Sequence, residues 1–133
     1  MTGHRPRRRA RAAAPPPGPP ILIAAVGTAA QADRAIAAGA DMIDAAGLSD
    51  QVMAAIRARH PRVRLWAGSP GAVDVDSLRA MPVAAVVARA AVLTWLGTPA
   101  IRTSHVLPVR RAIDMTSSIA GTRLPSLTTR GLG

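Results

Sequence analysis

Arg102, Ser104 and His105 lie at the end of a short strand, Ala100 to Thr103, just before a segment that carries both end signals of a helix. Pro108 stands near its start and Gly121 just past its end. Proline at a first helical position gives up an amide that would be unpaired anyway, and glycine past the end takes the left-handed conformation the C-terminus wants. A cation, a hydroxyl and an imidazole at the end of a strand, beside the free amides of a helix N-terminus, are the ingredients of an anion site. The amides and the helix dipole both favour negative charge there. The competing reading of Arg102 is a structural ion pair with a nearby aspartate. His105 has no carboxylate at a spacing that would orient it as a general acid or base.

Other chemistry-bearing residues have blander readings. Asp74 and Asp76 flank a valine; on a strand they would face the same way, but as loop residues capping a following helix they need no acid–base role. His60 precedes Pro61 at a helix end, where it caps carbonyls, and with His4 and His105 it offers no metal-ligand spacing. Trp66 and Trp95 are expected in the core, since no further aromatic residues accompany them as a base-stacking platform would require. The absence of cysteine removes disulfides, thiolate nucleophiles and zinc–thiolate sites together.

The elements that must position these residues alternate. Pro20 to Val26 is short, apolar and β-branched, which predicts a buried strand. Thr28 caps a helix from Ala29 to Ala38 that stops at Gly39, and Asp41 to Ala46 is a second strand. Ser49 caps a second helix that Pro61 ends after His60, with Val52, Met53 and Ile56 inward and Arg57 and Arg59 outward. Val63 to Ala67 is a third strand, followed by a Gly-Ser-Pro-Gly loop and a short helix around Asp76 to Ala80. Pro82 to Leu96 reads two ways, as one helix or as a strand at about Val83 to Val87 followed by a helix from Ala90 to Leu96, with the second preferred. Strands alternating with helices about five times predict a parallel sheet.

Two stretches carry a resemblance. In Gly97 to Gly121 the order is glycine, Ile-Arg, one residue, a polar pair, valine, and a helix ending Met-x-x-x-Ile-x-Gly. Gly39 to Asp50 reads Gly-Ala-Asp-Met-Ile-Asp-Ala-Ala-Gly-Leu-Ser-Asp. Both resemble dihydropteroate synthases, which have Arg-Val-His-Asp-Val at the first place and Gly-Ala-Asp-Ile-Ile-Asp-Val-Gly-Gly-Glu-Ser-Thr at the second. The resemblance implies a pterin-diphosphate site in which Arg102 stands for the family's arginine. Ser104 takes the place of its histidine, His105 is one position displaced, and Asp44, Gly47 and Ser49 fall on matching positions. Leu48 replaces the family's glutamate and Asp50 its threonine. The family closes a barrel of about eight βα units over roughly 250 residues, twice this chain. Its pterin-gripping lysine and asparagine have no counterpart, because the chain contains neither residue type.

The resulting expectation is an α/β protein of alternating parallel βα units, a partial TIM-barrel-like fold over residues 21–121. An Arg/Pro-rich arm (1–20) without order and an irregular tail (122–133) flank it. The implied function is a dihydropteroate synthase-like pterin-binding protein, not catalytic, with an anion or pterin-diphosphate site at Arg102, Ser104, His105, Asp44 and Ser49. Were it active, it would be a transferase of folate biosynthesis. The alternative is a structural or regulatory partner that self-associates or docks on a full-length barrel enzyme, since open sheet edges need cover. No cofactor is expected.

Composition sets the remaining bounds. Hydrophobic residues make up 49% of the 133, but aromatic ones only 2%, so the core must be aliphatic and alanine-rich. Such a core yields little burial per residue, and modest stability or help from a partner chain follows. Arg5, Arg7, Arg8, Arg9 and Arg11 supply five of the ten net positive charges. The basic signal therefore belongs largely to the arm, and nucleic acid is not the expected partner without interleaved aromatics. An export leader fits poorly, because a proline block precedes the apolar run. No apolar run approaches membrane-spanning length. A cytoplasmic protein is expected.

Overall fold

The computed structural model describes residues 18–68, 71–76 and 81–121. The arm up to residue 17, the final segment from 122 and the last four residues of the short helix expected around Asp76 to Ala80 lie outside these. Among the described residues five strands and four helices follow in order: β1 (Ile21–Ala24), α1 (Ala29–Ala37), β2 (Met42–Asp44), α2 (Asp50–Arg59), β3 (Leu65–Trp66), β4 (Ala72–Asp74), α3 (Val83–Trp95), β5 (Ala100–Thr103) and α4 (Val106–Ala120). Every strand pair is parallel, and the order across the sheet is β3-β2-β1-β5-β4. The fold is α/β with alternating βα units.

The helix ends behave as their sequences dictate. Thr28 Oγ1 accepts from the Gln31 amide at 3.1 Å and Ser49 Oγ from the Val52 amide at 3.2 Å, which satisfies an otherwise orphaned donor in each first turn. Gly121 closes α4 at φ 81°, its amide reaching the carbonyls of Ser117 and Ser118. Pro108, however, is the third residue of α4, and His105 is its uncapped N-cap.

Three expectations are corrected. Val83 to Trp95 is one helix, so no strand forms at Val83 to Val87. Val86, Ala90 and Thr94, spaced by four, are the residues it buries, and Thr94 Oγ1 donates to the Ala90 carbonyl at 2.8 Å. The fourth strand lies instead at Ala72–Asp74, where a loop and a capping site were expected. Neither tryptophan joins the buried core: Trp66 is half-buried, and Trp95 is 60% exposed, because α3 turns Ala90 and Thr94 inward and leaves position 95 outside.

Winding explains why one sheet face carries the core. From β1 to β2 to β3, and from β4 to β5, the chain steps across the sheet in one direction, and right-handed crossovers then place every helix on the same face. The buried cluster agrees. Its strand members Leu22, Ala24, Ile43 and Ile101 share one parity and meet Ala32 and Ala35 of α1, Ile56 of α2, Val86 and Ala90 of α3, and Val106, Val109 and Ile113 of α4. No aromatic residue is among the buried hydrophobics.

The sheet must also curl. Only residues 67–71 join β3 at one edge to β4 at the other. At roughly 3.3–3.6 Å per residue that link reaches about 20 Å. A flat sheet of this order is about 19 Å wide at 4.7–4.9 Å per strand, and the link must also travel back to the start of a parallel strand. The edges are therefore drawn together around the helix-free face. Ile23 on that face is only 1% exposed, and Ile21, Ile23, Met42, Trp66, Ala72 and Ala100 surround a cavity of about 270 Å³ inside the curl.

Candidate functional site

The opposite parity of each strand delivers its side chains to the concave face. Ile23 pairs in register with both Met42 and Arg102, and Arg102 with Asp74. Asp44, two residues beyond Met42, therefore reaches the same face. Apolar residues occupy the N-terminal half of that face, and the last or penultimate positions of β2, β4 and β5 are charged.

Arg102 ties those three strands. Its Nε donates to Asp44 Oδ2 at 2.6 Å and its Nη1 to Asp74 Oδ2 at 3.0 Å. The Asp44 side chain is 7% exposed and that of Arg102 30%. Burial pushes the guanidinium pKa down, but the paired carboxylates of Asp44 and then Asp74 outweigh it and leave it raised. Asp44 Oδ1 also accepts from the Ala46 amide at 2.9 Å, so both its oxygens are engaged. Arg102 thus forms the structural ion pair that was one of its two readings. Its remaining N–H groups have no acceptor among the described residues.

A second carboxylate fills the start of α4. Asp76 Oδ2 accepts from the Ser104 amide at 2.7 Å and from its hydroxyl at 2.6 Å, while Asp76 Oδ1 accepts from Thr103 Oγ1 at 2.7 Å. Thr103 Oγ1 in turn accepts from the His105 amide at 2.9 Å. Burial pushes the Asp76 carboxyl up, yet the hydroxyl and amide of Ser104 and the hydroxyl of Thr103 hold it below its ordinary value. Where an external anion was expected beside Ser104 and His105, an internal one already accepts from the strand end. Asp74 and Asp76 do not face one way either, because Asp74 ends β4 and Asp76 lies in the turn after it.

Of the expected site residues, Arg102 and Asp44 meet directly. Ser104 and His105 belong to the Asp76 network one residue away. Ser49 lies in the β2–α2 loop, at the same end of the sheet, with its hydroxyl used as a helix cap. Asp74 and Asp76 are the participants that sequence reasoning assigned to capping; their spacing around Val75 was the available signal. Comparison with protein-family models, with curated proteins and with solved structures finds no match.

Among the described residues no group of three or more histidines and carboxylates is placed to hold a metal ion, and no helix is long and apolar enough to cross a membrane. His60 acts away from the mouth of the curl: its Nε2 lies 2.7 Å from Asp33 Oδ1, and Arg59 Nη1 lies 2.6 Å from Asp33 Oδ2. The His60 hydrogen bond holds the Asp33 carboxyl below its ordinary value; burial opposes it, and Arg59 adds to the lowering.

Proposed function

We propose that the protein is a non-catalytic binding protein of dihydropteroate synthase-like design, which takes a pterin or a related small molecule at the C-terminal mouth of its curled sheet. One observation carries this reading: three parallel strands each bring a charged side chain, Asp44, Asp74 and Arg102, to the same point of the concave face. Ligands of α/β folds gather at strand C-termini. Carboxylates there accept from a ring rich in N–H donors, and the unengaged N–H groups of Arg102 suit a phosphate at its rim. Arg102 and Asp44 support this role together with the family motifs around Gly39–Asp50 and Gly97–Gly121. A cytoplasmic setting belongs to the same reading.

The test is the melting temperature with and without a pterin diphosphate, in the parent, Arg102→Ala and Asp74→Asn. A rise in the parent that both variants lose supports the reading by mass action. No rise in the parent removes it.

A second reading, self-association, is favoured by a separate observation. Val92, Trp95 and Leu96 at the end of α3, and Met115 and Ile119 on α4, are all more than half exposed. The two helices pack along each other, and α3 is apolar nearly all round, as helices covered on both sides are. A second copy meeting this surface would make a symmetric pair. Sedimentation of the parent beside Trp95→Arg decides it: a dimer that the variant dissociates supports the pairing, and a monomeric parent at micromolar concentration ends it.

A further inference from the structure

At the other end of the sheet, the ends of α1 and α2 and the starts of β2 and β3 enclose a cavity of about 460 Å³. Its apolar lining includes Ile36, Met42, Ile43 and Val63, and its polar lining is Asp41, Arg59, His60, Arg62 and Arg64. The C-terminal carbonyls of the two helices bring partial negative charge to this edge. Arg59 and His60 sit at the end of α2 and are further engaged by Asp33. Asp41, the one carboxylate of the lining, is engaged as well: its Oδ2 accepts from the Leu22 amide at 2.8 Å and pairs with Arg110 Nη1 at 3.3 Å.

Arg62 and Arg64 are left over. Both are exposed, and among the described residues neither side chain has a hydrogen bond or ion pair. Arg62 lies in the turn after α2 and Arg64 just before β3, and both line this same cavity. Two uncommitted forked cations at the rim of an apolar cavity are suited to an amphipathic anion, because a guanidinium meets phosphate or carboxylate oxygens through paired hydrogen bonds. Ligand cavities characteristically combine an apolar lining with a few such polar groups.

We propose that this cavity binds a small organic anion, its phosphate or carboxylate held by Arg62 and Arg64 and its apolar body resting on Ile36, Ala40, Pro61 and Val63. The site is independent of the concave mouth, and neither requires the other.

The experiment is titration calorimetry of the full chain with 1-naphthyl phosphate, 1-naphthoate, inorganic phosphate and 1-naphthol. One or both naphthyl anions should bind at least tenfold more tightly than inorganic phosphate or the neutral naphthol. Which anion binds better distinguishes the phosphate from the carboxylate form of the ligand. The double variant Arg62→Gln/Arg64→Gln should keep the parent melting temperature and lose at least tenfold in affinity, whereas Arg57→Gln, on the outer side of α2, should bind like the parent. The Arg-rich arm is identical in all three proteins, so its own attraction for anions cancels in the comparison. Equal affinity in the double variant, an equal loss in Arg57→Gln, or inorganic phosphate binding as tightly as the naphthyl anions would each overturn the proposal.

Discussion

Arg102 Nε and Asp44 Oδ2 meet at 2.6 Å although 58 positions separate them in the chain. The bond spans from β5 to β2 across the central strand β1, and Asp74 completes it from the neighbouring edge. Removing the cation leaves a nearly buried carboxylate with amide support alone. Arg102→Gln is expected to cost about 2–3 kcal/mol, below the full loss for a buried pair because Arg102 is partly exposed to solvent. Chemical denaturation checks the magnitude. Arg102→Lys should recover only part of the loss, since a single ammonium cannot reproduce the guanidinium fork toward both carboxylates.

Asp76 gives the fold an acid-sensitive joint. Its folded pKa lies below its ordinary value, so in the window between folded and unfolded pKa the unfolded chain binds more protons. The stabilisation is present above the unfolded value of about 3.9 and is lost as pH falls through the folded one. Asp76→Asn should flatten the dependence of stability on pH below about 4 relative to the parent. It should also cost about 1–2 kcal/mol at neutral pH through weakened bonds to Ser104 and Thr103. Denaturation curves at several pH values check both effects, and an unchanged acid slope in the variant would argue against this assignment.

Gly39 is expected to resist substitution. Its φ is 102°, and a Cβ there would lie 2.7 Å from Cδ of Arg110, which itself donates to the Gly39 carbonyl at 3.1 Å. Gly39→Ala combines backbone strain with displacement of that arginine, a loss of about 1–3 kcal/mol. The melting temperature reads it, and Gly18→Ala, where nothing lies within 4 Å of the added carbon, serves as the neutral comparison.

The single helix at Val83–Trp95 has its own consequence. Ala90 is fully buried and Ala88 exposed, so Ala90→Leu should overpack the core at about 1–3 kcal/mol, while Ala88→Leu should change stability little. Thermal melts of the two variants separate these outcomes. Equal effects would contradict the observed helical phase.

Much of this architecture was legible in the amino-acid order. Caps are local bonds over three or four residues, so Thr28, Ser49 and Gly121 each marked a helix end that the fold contains. Apolar runs bounded by proline or glycine marked β1, β2, β3 and β5, and their alternation with helices implied the parallel sheet. Tertiary structure decided the rest. Ala72–Asp74 is too short for any period to emerge, and it becomes a strand because β5 supplies its hydrogen-bonding partner. Val83–Val87 could satisfy a strand or a helix by itself; packing α3 along α4 chose the helix and put Trp95 outside. Arg102 could be seen at a strand end, but its choice between an external anion and internal carboxylates depended on strand order. Placing β2 and β4 on either side of the β1–β5 pair brought Asp44 and Asp74 within reach, and a contact across 58 positions leaves no trace in local spacing.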